Sequence, residues 1–266
     1  MRRRKGEKVL RPVFPNAGIA ALYRKKLRKL IEEMQASYAH FLKRQYRRKP
    51  PVMAQDDSPA QDLEKELRRL GVQWNKRFND AAPLLAAWFA KSVAKRSDAA
   101  LRRILKDAGI SIEFKMTKAM RDILNASLAD NTALIKSIPA EYHTQVQGLV
   151  MRSVQTGRDL GTLSTELRAR YGVTERRAAL IAFTQNQMAT SAMQHARQTE
   201  LGIEEAVWMH SHAGREPRPT HLANDGKRYK ISEGWFDSDP RVRRKIWPGE
   251  LINCRCTSKP IVQGFS

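Results

Sequence analysis

From Ile19 onward the apolar residues return at three- and four-residue steps, through Tyr23, Leu27, Leu30, Ile31, Met34, Tyr38, Phe41 and Leu42. That period is the signature of one buried face of a long α-helix. The opposite face carries Arg24, Lys25, Lys26, Arg28, Lys29, Lys43, Arg44, Arg47 and Arg48, and Pro50-Pro51 then ends the helix and begins a polar linker to about Pro59. Helical spacing resumes at once. Ser58-Pro59 has the form of an N-cap with proline at the first helical position, and Leu63, Leu67, Leu70, Trp74 and Phe78 mark a second helix. Asp80 is placed to cap a third. Further amphipathic blocks at 98–106, 117–135, 140–154 and 162–170 are separated by Gly109, Pro139, Gly157 and Gly172, while 109–114 alternates like a short strand. A last long helix is expected from an N-cap at Thr174 to a stop at Gly202.

Beyond Gly202 the character changes, because Pro, Gly, Trp, His and Cys become frequent and alternating stretches at 205–209, 227–231 and 255–262 replace helical spacing. The expected fold is therefore a mainly α N-terminal region followed by a small α+β C-terminal module. Its expected divisions are a basic helix and linker (1–58), a helical region (59–173) and a module of one long helix with strands (174–266). With 41% hydrophobic residues in 266, such a chain can bury a real core.

Charge narrows the choice of partners. The chain holds 49 Lys and Arg against 27 Asp and Glu, a net charge of +22. Residues 1–50 alone hold 16 basic against 3 acidic residues, a local excess of +13. An imbalance this large costs self-repulsion unless a polyanion lies nearby, and nucleic acid is the first candidate. Lys and Arg on a flexible basic arm release counterions from phosphate and bind without sequence preference. The expected DNA-contacting residues are Arg2, Arg3, Arg4, Lys5, Arg24, Lys25, Arg28, Lys29, Lys43, Arg44, Arg47 and Arg48. No zinc finger or helix-turn-helix is evident. Met1-Arg2-Arg3-Arg4-Lys5 is not followed by the apolar stretch of a signal peptide, and the longest apolar run, 81–90, includes Pro83 and is about half a membrane span. No membrane partner is expected.

The chemistry-bearing residues cluster late, as His210-Ser211-His212, Arg218-Pro219-Thr220-His221, Asn224-Asp225-Gly226 and Pro248-Gly249 followed by Asn253-Cys254-Arg255-Cys256. Asp225-Gly226 is a tight-turn pair between two strands, since Gly tolerates positive φ and Asp bonds turn backbone. Two thiols so close together make no disulfide framework for a chain of this size. They read as reduced thiols or as metal ligands: His221, Cys254 and Cys256, with His210 or His212, supply the donors that suit zinc. Strand alternation would equally put both thiols on one face as small buried hydrophobes, and packing is the favoured expectation, with no cofactor. Catalysis by a cysteine with His221 as base has the residue types it needs, but there is no P-loop, no dinucleotide fingerprint and no sustained run of paired acidic residues for a two-metal nuclease. Asp237-Ser238-Asp239-Pro240 reads as a turn.

The order of Ile181-Ala182-Phe183-Thr184-Gln185, a Trp-containing strand, Arg218 to His221, Asp225-Gly226 and the closing Pro-Gly-x-x-x-Asn-Cys-Arg-Cys resembles the phage Mu F-like head morphogenesis family of tailed bacteriophages. The resemblance covers about 176–262 and departs from the family at Ala182-Phe183-Thr184-Gln185, where Ala-Arg-Thr-Glu is usual. In this module Asp225, Gly226, Pro248, Gly249 and Asn253 are expected to be structural. The resemblance implies a non-enzymatic minor capsid component in the virion, inside the head near the portal, assembled in the host cytoplasm. Its implied partners are the portal protein and the major capsid or scaffolding protein, with a part in DNA packaging or ejection. A metal- or cysteine-dependent hydrolase and a free DNA-binding protein are the alternatives.

Overall fold

The computed structural model describes residues 6–48, 58–156, 160–212 and 216–264. After β1 (Lys8–Val9) come four long helices, α1 (Ala17–Arg48), α2 (Ser58–Asp107), α3 (Lys118–Thr156) and α4 (Leu160–Glu200). The remainder is β2 (Glu205–Met209), α5 (Pro219–Ala223), β3 (Arg228–Lys230), β4 (Trp235–Asp237), β5 (Arg244–Ile246) and β6 (Thr257–Val262). The mainly α N-terminal region with a small antiparallel C-terminal part is the class expected from the sequence. Among the described residues no helix is long and apolar enough to cross a membrane.

The helices are longer than the sequence blocks. Pro83 sits inside α2 and Pro139 inside α3, each at a cost of about 3 kcal/mol in a helix interior. Burial outweighs that cost. Around Pro83, for example, Phe78, Ala82, Ala86 and Phe89 are fully buried, and a large apolar side chain contributes about 1.5–3 kcal/mol when buried. Asp80 caps nothing and pairs on the surface with Lys76 at 3.0 Å. Thr174 is likewise no N-cap, because its hydroxyl donates to the Arg170 carbonyl at 3.1 Å within the continuous α4. The alternation at 109–114 yields no strand. Instead Gly109, at φ 87°, closes α2, with the Gly109 and Ile110 amides donating to the Lys106 and Leu105 carbonyls. Gly157 lies outside the described residues.

By their contacts the residues form two units, each drawn from separated stretches of chain: 21–87 with 128–182, and 1–20 with 88–127 and 183–266. The first is a helical unit whose helices are tied at the surface by the pairs Arg77–Glu33, Arg177–Glu141 and Arg24–Glu175. Its core holds Tyr23, Leu27, Ile31, Met34 and Tyr38 of α1, all fully buried. The basic helix is thus a core element rather than a flexible arm. Three α1 tyrosines reach α3: Tyr23 donates to Asn131 Oδ1 at 2.9 Å, Tyr38 bonds His143 Nδ1 at 3.0 Å and Tyr46 donates to Ser153 Oγ at 2.9 Å. Gly71 makes room for His143, since a Cβ there would come within 2.8 Å of its ring.

The second unit contains a four-stranded antiparallel sheet in the order β1-β6-β2-β3, with β4 and β5 as a separate pair. Its apolar core includes Leu10, Leu101, Leu105, Ile203, Trp208, Tyr229, Ile231 and Ile246. A polar face of α4 joins the sheet to the C-terminal end of α2. Gln187 donates to the Cys256 carbonyl at 3.0 Å, Ser258 Oγ donates to Gln198 Oε1 at 3.1 Å, and Gln194 donates to Ser97 Oγ at 2.6 Å. Arg197, with 1% exposure, forks onto Asp98 at 2.9 and 2.8 Å, reaches Glu200 at 2.7 Å and the Lys115 carbonyl at 2.8 Å, and lies over the Phe114 ring. Gly202, at φ 65°, ends α4 in the predicted place.

Candidate functional site

Four segments of this unit deliver one cluster. Trp208 stands on β2, His221 on the short α5 with Pro219 at its first turn, and Asp237 at the end of β4. Cys254 and Cys256 lie just ahead of β6 rather than on it, with Arg255 between them facing out. The closing motif has a backbone reason for its residue types. Gly249 sits at φ 87°, and a Cβ would come 2.7 Å from Gln187 Nε2 and 3.0 Å from the Cys256 carbonyl. Asn253 is left-handed at φ 61°, a conformation Asn tolerates better than most residues. The turn is closed by the Cys254 amide donating to the Leu251 carbonyl at 3.0 Å. Arg218 then ties α5 to it by donating to the Ile252 carbonyl at 2.9 Å.

At the centre, His221 Nδ1 lies 3.4 Å from Cys254 Sγ and 3.6 Å from Cys256 Sγ. On the other side of the ring, His221 Nε2 is 3.2 Å from Asp237 Oδ2. Asp237 itself is 1% exposed, and its Oδ1 accepts from the Asp239 amide at 2.9 Å. The carboxylate fixes the tautomer: Nε2 carries the proton, and the Nδ1 lone pair points at the thiols. Trp208 packs its edge against His221 at 5.3 Å between centroids. Its buried indole N–H finds no hydrogen-bond acceptor among the described residues. The two thiols are strongly coupled. A hydrogen bond from Cys256 pulls Cys254 below the ordinary thiol range, while the same negative neighbour and burial push Cys256 up.

The expected zinc donors separate here. His221, Cys254 and Cys256 come together, with donor atoms all within 4.8 Å of one another. His210 and His212 stand outside that trio. The His210 amide donates to Asp225 Oδ1 at 2.8 Å, His212 Nε2 lies 2.8 Å from Asp225 Oδ2, and the His212 amide donates to His210 Nδ1 at 3.1 Å. Asp225-Gly226 does turn the chain, with Gly226 at φ 75°, but it follows α5 rather than joining two strands directly. Nothing local in the sequence marks Asp237, Trp208 or Gln187 for this cluster: Asp237 reads as a turn residue, and its side chain does accept from the backbone two residues on.

The same groups have the identities of a Cys-His-Asp catalytic set. Cys254 and Cys256 are only 3% and 2% exposed, however, and a catalytic thiolate needs partial exposure to meet a substrate. Of the expected DNA-contacting residues, Arg24, Lys25, Arg28, Lys29, Lys43, Arg44 and Arg47 are exposed on α1. Arg24 and Arg28 share Glu175 at 3.5 and 4.0 Å. Arg2, Arg3, Arg4 and Lys5 lie outside the described residues, as does the side chain of Arg48.

Residues 144–259 match the family described as phage Mu protein F like protein. The resemblance carried by the closing motif therefore holds over that segment. An uncharacterized protein of Haemophilus influenzae is 32% identical over 139 residues, which cover 52% of this chain and 29% of that relative. The chain thus spans less than a third of the relative's length. No solved structure matches the chain.

Proposed function

We propose that the chain is a minor head protein of a tailed bacteriophage, a structural component of head morphogenesis rather than an enzyme. The family match over 144–259 carries this reading. In it the protein lies inside the head near the portal, contacts the portal and the major capsid or scaffolding protein, and binds packaged DNA without sequence preference. The +22 charge supports the DNA contact, as do the exposed Lys25, Lys29, Lys43, Arg44 and Arg47 along α1. The near-complete burial of both thiols speaks against a cysteine hydrolase.

Two measurements test the reading. Quantitative mass spectrometry of purified particles should find the chain in DNA-filled heads at a few copies each, and its absence from heads would overturn the proposal. Fluorescence anisotropy with unrelated duplexes should show equal affinities that fall steeply with salt, about 10³–10⁵-fold between 50 and 200 mM for 6–10 phosphate contacts. Removing residues 1–50 would strip β1 and α1 from their cores, so the informative variant replaces Lys25, Lys29, Lys43, Arg44 and Arg47 with Gln. Unchanged DNA affinity in that variant would refute the assignment of α1 as the DNA-binding surface.

A further inference from the structure

We propose that His221, Cys254 and Cys256 bind a zinc ion through Nδ1 and the two Sγ atoms, with Asp237 as the carboxylate that orients the histidine. The spacing is the first reason. Bonds of about 2.0–2.1 Å to nitrogen and about 2.3 Å to sulfur at a tetrahedral ion place N and S roughly 3.6 Å apart. The two observed separations are 3.4 and 3.6 Å.

The second reason is the lone pair. With Nε2 turned to Asp237 at 3.2 Å, Nδ1 offers a single acceptor site. One thiol can donate to it. Two sulfurs converging on the same nitrogen are instead what a shared cation produces. The third reason lies around the trio. A metal-bound histidine characteristically gives its other N–H to a carboxylate, and Asp237 is held for that task by the Asp239 amide. The fully buried Trp208 indole, edge-on to His221 at 5.3 Å between centroids, closes the other side of the ring and screens the trio from solvent. All three donors are almost wholly buried. The site is accordingly a structural staple. It joins α5 to the segment ahead of β6, across 33 and 35 residues of chain, and through Asp237 it braces β4.

The test uses the full chain. After extensive dialysis, elemental analysis should find about one zinc per chain. Exchange for Co²⁺ should give thiolate-to-metal charge-transfer absorption with the visible bands of a tetrahedral site. Cys254→Ser and Cys256→Ser should each abolish that absorption. Asp237→Asn, which keeps the donors, should weaken zinc binding about 10–100-fold in competition with a chromophoric chelator, with circular dichroism verifying the fold. Removing zinc from the wild-type chain should lower hydrogen-exchange protection over 203–262 and leave 21–87 and 128–182 unchanged. Folded wild-type protein that binds neither zinc nor Co²⁺ would overturn the proposal, as would zinc retained by both serine variants. These outcomes are independent of where the chain resides in a particle.

Discussion

The helical unit and the sheet-bearing unit are specified in different ways. In the helical unit the core is a continuous apolar stripe, with Tyr23, Leu27, Ile31, Met34 and Tyr38 recurring along one face of α1. Its few polar contacts sit at the tips of buried tyrosines. The sheet-bearing unit buries polar groups wholesale, among them Gln187, Gln194, Arg197, Gln198, His221 and Asp237, and each must find a partner far away in sequence. Apolar burial is non-directional and tolerates repacking. Buried polar groups are costly when a single partner is lost. The helical unit should therefore absorb most single substitutions, whereas the sheet-bearing unit should fail at particular residues.

The largest effect is expected at Arg197. Arg197→Met keeps the apolar bulk but leaves Asp98, Glu200 and the Lys115 carbonyl without their donor, and should destabilise the sheet-bearing unit by about 3 kcal/mol. Urea denaturation followed by the fluorescence of Trp208, Trp235 and Trp247 would measure it. A change below about 1 kcal/mol would mean that the polar face of α4 is no more demanding than an apolar core, and the contrast would collapse.

A smaller loss is expected from Gly249→Ala, because positive φ costs a Cβ-bearing residue about 1–2 kcal/mol and the new methyl meets Gln187 and the Cys256 carbonyl. Thermal melting should show the loss, together with weakened hydrogen-exchange protection around Cys256. If Ala is accepted without cost, the Pro248-Gly249 turn does not fix the approach of the closing segment to α4.

The smallest effect concerns His143, half-buried in the helical unit. Burial lowers the His143 pKa from its ordinary 6.5, so the neutral ring is favoured in the folded state. Its contribution is present above about pH 6.5 and is lost as pH falls below that value, where the unfolded chain takes up the proton. His143→Gln should flatten the pH dependence of helical-unit stability between pH 7.5 and 5.5, read by hydrogen exchange over 128–156. An unchanged slope would assign that dependence to other groups.

What the sequence made legible follows the same division. The period of α1 disclosed its buried residues, with only Leu30 of that series left half-buried, because helix-face burial is written locally at steps of three and four. Helix ends were less readable: Asp80, Pro83, Pro139 and Thr174 all look like boundaries, and a buried stripe carries the helices through them. Gly202 ended α4 as expected, since a left-handed glycine is a strong local signal. In the site, His221, Cys254 and Cys256 were identifiable from residue type and order. Asp237 was not, because its approach to His221 is made by β4 and α5 in three dimensions, and its local pattern is that of an ordinary turn. Arg197 was hidden for a related reason, since a single arginine on a helix reads as a solvated charge until the aspartate that it meets, Asp98, is known.

The pairing of β1 with β6 sets Lys8 opposite Val262 and Val9 opposite Ile261, while β6 also lies beside β2 through Glu205 to Met209. Such separation in sequence makes a sheet slow to form, because the loop must close before any ladder bond rewards it. During synthesis β2 can acquire β3 early, but its other edge stays open until residues 257–262 have left the ribosome. An open edge is a template for wrong strands. The vulnerable period of this protein thus falls between the synthesis of β3 and that of β6, when four long helices are already made and one six-residue strand is still missing.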